Sequence, residues 1–456
     1  MAISQLSSAH FSGDHDRLLE GLSQGRRIGS TGAGAVRSRL SRPLLLIQDL
    51  DGVCMPLVRD PLQRRVDPAY LRACKAMQGS FAVLTNGEHG GRRGMNPIVE
   101  AAVGDAEAVR REGLYLPGLA GGGVQIQDCH GRIEHPGVSD AELSFLEHVP
   151  IRLREDLTTV LAGPSFGLRG DELEALVQTA VLDNQVSPTL NINTLFPYFG
   201  AEPELWGRLQ QAMAGLMEGL LDQAVAAGLE GSFFVHLAPN LGRSGDRELL
   251  RPGQAGDAGT TDFQFMLSGA VKEAGVLVLL NQHVHRSTGR HPLGADFTVR
   301  TAPRRHEDLL RLAQERFDPA TLPQLVGVGD TVTSQPIKPG SNERLRGGSD
   351  RGFLRLVQDL GRQFSTDNLV LFVDSSRGEV RRPGLGDGLQ EGTPGAEPPW
   401  EAVEGISDPA DPLRLQYLFA GGHRQYTAWF AGLAAALNPG SGAIPSDADA
   451  PATPPT

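Results

Sequence analysis

"LLLIQDLDGVCM", residues 44–55, places an apolar run directly before two aspartates that are one residue apart. Leu44, Leu45, Leu46 and Ile47 are continuously apolar rather than alternating, the pattern of a strand buried on both faces of a parallel sheet. Gly52 follows as a turn residue, so Asp49 and Asp51 stand where the strand ends. In open α/β sheets ligands bind outside this carboxyl end, which makes the pair a candidate site before any other motif is considered.

Working outward, the same plan recurs. "SFAVLTNG" (80–87) is an apolar run closing on Thr85 and Asn86, "LPQLVGVGD" (322–330) closes on Asp330, and "NLVLFVDSS" (368–376) closes on Asp374. Helical patterns lie between them, among them "PAYLRACKAMQG", "AVKEAGVLVLLNQH" and "SDRGFLRLVQDLG", the last with Ser349 or Asp350 placed to cap it. Residues 136–254 change character to amphipathic helices and a strand-like "GSFFVHLAP", which reads as an inserted α+β module. The expected order is a flexible extension over 1–40, a first core segment over 41–135, the insert over 136–254, a second core segment over 255–432 and a disordered tail over 433–456.

The chain has 456 residues, enough for two or more domains at roughly 150 residues each. Lys+Arg 42 against Asp+Glu 54 leaves a net charge of −12, which argues against a nucleic-acid partner and leaves open a small anion held by local positive charge or a metal. The three cysteines, Cys54, Cys74 and Cys129, lack a CxxC spacing, so a disulfide framework or structural zinc is not expected. No apolar stretch reaches the ~18 residues of a membrane span, and the N-terminal residues lack a signal-peptide core. The expected compartment is the cytoplasm.

A carboxylate at a strand end can attack phosphorus, giving an aspartyl-phosphate. Facing a phosphate dianion it needs a hard cation, for which Mg²⁺ is suited. A second carboxylate two residues on can protonate the leaving oxygen and then activate water, while a hydroxyl and a lysine hold the phosphoryl oxygens. Asp49, Asp51, Thr85, Lys272 and Asp330 supply this set.

"DLDGVC", "VLTNG", "VKEAGVLVLL" and "GVGDTVTS" with "SDRGFL" resemble, in order, the four motifs of the haloacid dehalogenase-like phosphatases. "AGGGVQIQDCHGRI" is similar to the strand-turn-strand that precedes a large cap in that superfamily. Longer stretches, including "QDLDGVCMPLVRDPLQRRVD", "SFFVHLAPNLGR" and "AGDAGTTDFQFML", resemble the glucosylglycerol 3-phosphatases within it. The resemblance implies a Rossmann-like parallel sheet core with an inserted α+β cap, and Mg²⁺-dependent hydrolysis of 2-O-glucosylglycerol 3-phosphate in the last step of osmoprotectant synthesis. It implies Asp49 as nucleophile, Asp51 as general acid/base, and Thr85, Asn86 and Lys272 around the phosphoryl group. Mg²⁺ would be held by Asp49, Asp51 through its carbonyl, Asp330, and Asp350 or Ser334. A functional link to the synthase that makes the substrate is a further implication.

Substrate choice is expected in the insert, where Asp183, Asn184, Asn191, Asn193, Asp257, Thr260, Thr261 and Asp262 are the polar candidates. Trehalose or sucrose phosphate as substrate, or a non-catalytic phosphosugar-binding subunit, are the alternatives. His283 and His285 read as surface residues, "GLAGGGV" as a tight turn, Arg92 and Arg93 as a solvated loop, and Cys54 as packing.

Overall fold

A computed structural model describes residues 15, 16, 18–20, 22, 42–245, 247–254, 256–338, 340–380, 382–386 and 400–438. Its centre is an eight-stranded sheet formed by β1 (Leu44–Gln48), β2 (Phe81–Leu84), β3 (Gly118–Ala120), β4 (Gln125–Gln127), β5 (Ile133–Glu134), β12 (Gln324–Gly329), β15 (Leu369–Val373) and β16 (Tyr417–Phe419). The order is β16-β15-β12-β1-β2-β3-β4-β5, parallel from β16 to β3 and antiparallel over β3, β4 and β5. From β1 the chain first builds outward through β2 and later returns to build outward through β12, so the topological switch falls between β1 and β12. The ends of those two strands carry Asp49 and Asp330, as the crevice rule requires.

All five residues of β1 are buried because helices cover both faces. Leu45 and Ile47 pack in one apolar cluster with the helices Lys272–Thr288 and Arg351–Phe364, and Leu44 and Leu46 pack in the other with Pro68–Ala76 and Gly422–Leu437. Period-2 side-chain geometry sends alternate residues to opposite faces, which explains why both parities had to be apolar.

The inserted module contains a second sheet of β6 (Val181–Leu182), β7 (Thr189–Asn191), β8 (Phe233–Ala238) and β11 (Asp262–Leu267), in the order β6-β7-β11-β8. The helices Asp140–Ala162, Gly170–Ala180 and Pro203–Ala226 supply its packing partners. β11 lies beyond the expected boundary at 254 and pairs with β7 and β8, so the sheet of this module reaches Leu267. The polar "GDAGTT" segment before β11 masked that continuity. Two hairpins, β9 (Asn240–Ser244) with β10 (Arg247–Leu250) and β13 (Thr333–Pro336) with β14 (Arg344–Gly347), join insert to core: the Thr333 hydroxyl donates to the Asn240 carbonyl at 2.8 Å.

Other boundaries shift too. The last helix runs to Leu437, into the segment expected as a tail from 433, with Leu433 and Ala434 buried. Leu18 and Leu22, in the segment expected to be flexible, are buried in the second cluster, because their four-residue spacing gives a short helical piece one apolar edge. The rest of that extension and residues 439–456 lie outside the described residues. Among the described residues no helix is long and apolar enough to cross a membrane.

Candidate active site

Asp49 follows β1 directly, and its amide donates to the Val328 carbonyl of β12 at 3.0 Å, which fixes the side chain at the switch point. Gln48 supports it from below: its amide group donates to the Asp49 carbonyl at 3.0 Å and accepts from the Tyr426 hydroxyl at 2.7 Å. The chain then turns through Gly52 at φ +82°, where a Cβ would collide with the Asp330 carboxylate. A glycine is therefore needed both for the backbone and for the space.

Lys272 begins its helix and reaches Asp49 Oδ2 at 2.8 Å and Asp350 Oδ1 at 2.6 Å. Asp350 Oδ2 accepts from the amides of Asp330 and Thr331 at 2.9 and 3.0 Å. Although Asp350 occupies the position before its helix, its side chain makes no capping bond, so the capping expectation gives way to a role between Lys272 and the loop after β12. Asp330 accepts from Thr331 Oγ1 at 3.0 Å and pairs with Arg382 at 3.2 Å. Carboxylate oxygens of Asp49, Asp330 and Asp350 all lie within 4.8 Å of one another.

Burial pushes the Asp49 carboxyl up to about 7, Lys272 opposing and Asp350 adding to the rise. Burial likewise takes Asp330 to about 8, with Arg382 opposing. Burial works the same way on Asp350, but Lys272 and two backbone amides outweigh it and hold this carboxyl below its ordinary value. Burial alone would lower Lys272, yet Asp350 and Asp49 raise it, so it is a fixed cation.

These residues fit a divalent cation. Asp49 Oδ1 is buried with no hydrogen-bond partner among the described residues, although Oδ2 is engaged. With all three carboxylates ionised, the state a bound dication favours, Lys272 and Arg382 leave one net negative charge, which the dication would turn positive toward a phosphate dianion. The oxygen-only donor set suits Mg²⁺. Ser334 is not part of it, since its hydroxyl donates to Asp408 at 2.5 Å on β13.

Asp51 forms an ion pair with Arg64 at 3.0 Å. Thr85, buried at the end of β2, lines the same cavity as Asp49 and Asp51, and its Oγ1 accepts from the Gly87 amide at 3.2 Å. Asn86 lines the cavity and lies 2.9 Å from His236 Nε2 of β8; His236 Nδ1 is 3.0 Å from Glu248. Glu88 receives the amides of Gln185, Val186 and Ser187 at 2.9, 2.6 and 2.8 Å, docking the insert onto the loop after β2. The glycine turn 121–123 secures the same junction, with Gly122 donating to the Thr85 carbonyl at 3.0 Å.

The candidates from the insert divide. Asn184, Asn191, Asn193 and Asp262 line the cavity. Asp183 instead pairs with Arg93, and Asp257 with Arg251. The Thr260 hydroxyl donates to the Pro239 carbonyl at 2.7 Å while accepting from Arg251, and Thr261 Oγ1 donates to Asp262 at 3.2 Å; none of Asp183, Thr260 or Thr261 lines the cavity. Arg93, expected in solvent, is buried and lines the cavity, whereas Arg92 is exposed. Sequence reasoning missed Arg64, Glu88, Gln264 and Arg382, which line it too. Arg64 lay in the "PLQRRVD" stretch, where its proximity to the motif was the available clue.

A parallel sheet with its switch point at "DLDG", a carboxylate cluster bridged by lysine, and a cap roofing the strand ends define a haloacid dehalogenase-like phosphatase. The glucosylglycerol-phosphate phosphatase family profile matches residues 43–434. The glucosylglycerol-phosphate phosphatase of Synechocystis sp. (strain ATCC 27184 / PCC 6803 / Kazusa) is 51% identical over 391 residues, 85% of this chain and 91% of that protein. The chain belongs to this family of phosphatases. Among solved structures, the C-terminal domain of C. albicans trehalose-6-phosphate phosphatase superposes with a TM-score of 0.42 at 12% identity, covering 94% of this chain and 99% of that one.

Proposed function

We propose that the protein hydrolyses 2-O-glucosylglycerol 3-phosphate to glucosylglycerol and phosphate through an aspartyl-phosphate on Asp49. The observation that carries the mechanism is the buried Oδ1 of Asp49, unpartnered among the described residues, beside Asp330 and Asp350. The family and the 51% identical relative support this choice of substrate. Asp49, Asp330 and Asp350, with the Asp51 carbonyl, would hold Mg²⁺, which when bound supplies positive charge for the phosphoryl oxygens and favours ionised carboxylates.

An Asp49 oxygen forms a bond to phosphorus as the bond to the glycerol oxygen breaks. Asp51, positioned by Arg64 and entering the step protonated, gives that proton to the leaving oxygen. It then takes a proton from water, whose oxygen attacks phosphorus and releases Asp49 together with inorganic phosphate. Lys272, Thr85 and the Asn86 amide hold the transferring oxygens. The cap closes over the product's sugar, and a reaction that glycosylates glycerol phosphate must supply the substrate, which links this step to a synthase of osmoprotectant formation. The cytoplasm is the compartment consistent with that supply.

The test is phosphate release with Mg²⁺ from glucosylglycerol 3-phosphate, trehalose 6-phosphate, sucrose 6-phosphate and glycerol 3-phosphate. The highest kcat/KM is expected for the first. A higher value for another sugar phosphate would move the substrate, and silence on all four from folded, Mg²⁺-binding protein would leave only a phosphosugar-binding role.

A further inference from the structure

One face of the cap sheet carries two rows of side chains. In register, Thr189, Gln264 and His236 form one row across β7, β11 and β8, and Asn191, Asp262 and Ala238 form the other. Period-2 alternation sends Phe263 and Phe265 to the opposite, fully buried face, so Asp262 and Gln264 must face the site. Nearly all of this polar ceiling is satisfied internally. Thr189 Oγ1 donates to the Ser187 carbonyl at 2.7 Å, Asn191 donates to Asp262 at 2.7 Å, and His236 lies between Asn86 and Glu248.

Gln264 is the exception: its Oε1 is buried and has no hydrogen-bond partner among the described residues. A buried amide oxygen without a donor is costly, and a donor group brought in by a ligand would relieve that cost. The ligand group must be an O–H or N–H. A phosphate dianion has no proton to give, which excludes the phosphoryl end of the substrate, and Asp49, Lys272 and Thr85 already gather at the other wall. A side-chain amide also carries N–H donors beside its oxygen, so it matches two neighbouring hydroxyls, one donating and one accepting.

We infer that Gln264 is a specificity-determining residue that binds a pair of hydroxyls on the sugar of the phosphate ester. The inference rests on the phosphatase reading and names the contact through which the cap selects the glucosyl group. A polar site built for a hydroxyl discriminates against substrates that lack it, because the oxygen is then left unpaired.

The experiment compares wild type, Gln264→Leu and Gln264→Glu with Mg²⁺ on glucosylglycerol 3-phosphate and on glycerol 3-phosphate, which has no sugar. For Gln264→Leu, kcat/KM on the glucosyl ester should fall about 10- to 100-fold, with glycerol 3-phosphate unchanged within about twofold. Gln264→Glu keeps an acceptor oxygen and should recover part of the loss. Unchanged selectivity in the leucine variant, or equal loss on both substrates, overturns the inference while wild-type turnover still stands. Wild type inactive on both esters overturns the phosphatase reading and the inference together. If the leucine variant does not fold, Gln264→Ala takes its place, and a selectivity equal to wild type in that variant overturns the inference.

Discussion

The floor and the ceiling of the cavity solve opposite problems. The floor is made of charges taken out of water: Asp49, Asp350 and Lys272 have side chains 10%, 0% and 2% exposed, and each holds another in place. The ceiling is made mainly of neutral amides and hydroxyls on a sheet, with one oxygen left unmatched. Charge at the floor suits a dianion and a cation, whose interactions strengthen in a low-dielectric site. Neutral donors and acceptors at the ceiling suit a sugar, for which a charged wall would cost desolvation without return. The loop after β2 touches both, since Thr85 faces the floor while Asn86 and Glu88 bind the cap.

Removing the central floor charge gives the largest expected effect. Asp49→Asn should reduce turnover by about 10⁴-fold or more while the protein stays folded, because an amide cannot serve as the attacking carboxylate. Single-turnover phosphate release with circular dichroism checks both parts; near-normal turnover would sink the nucleophile assignment.

Lys272→Met comes next. It leaves Asp49 and Asp350 facing each other without their shared cation, so stability should fall by about 3–5 kcal/mol and turnover by about 10²- to 10³-fold. Thermal unfolding with and without Mg²⁺ sharpens the comparison, since a cation bound among the carboxylates should restore part of the lost stability.

On the cap side, Glu248 gives a pH signature. Burial opposes its ionisation, but His236, Arg243 and the Leu237 amide bring it down to about 2 from 4.5. A carboxyl with a depressed folded value stabilises the protein above its unfolded value and loses that contribution as pH falls toward the folded one. Stability should therefore decline between about pH 4.5 and 2, and Glu248→Gln should lower stability at pH 7 by about 2 kcal/mol while flattening that decline. Urea titrations across the window provide the measurement.

The smallest effect belongs to Asp183→Asn. This residue pairs with Arg93 outside the cavity, its side chain being 35% exposed. Stability should change by about 1 kcal/mol or less and kcat/KM by no more than about twofold. A large rise in KM would place the ceiling differently from the geometry described.

The floor was legible because its chemistry sits at strand ends. An apolar run followed by Asp, Thr or Asp marks both the element and the position of the carboxylate, so β1, β2, β12 and β15 and the residues Asp49, Thr85 and Asp330 could be read along the chain. Asp350 was nameable, but its task was not, because Ser-Asp before a helix also describes a cap. The ceiling resisted reading for a different reason. Asp183, Thr260 and Thr261 have the composition of sugar ligands and spend their groups on Arg93, Pro239 and Asp262, while Gln264 stood inside "TTDFQFML" as one polar residue of an alternating strand.

By itself the sequence determined the parallel core and the order of the carboxylates, since those depend on local periodicity and on residues placed next to strand ends, and the phosphatase class through the resemblance of its four motifs. Tertiary structure decided that β11 joins the cap, that Lys272, 78 residues before Asp350 in the chain, bridges it to Asp49, and which polar side chains of the cap remain free to meet a ligand. Hydrogen-bond satisfaction is a property of neighbours in space, and no spacing along the chain encodes which partner a side chain has already found.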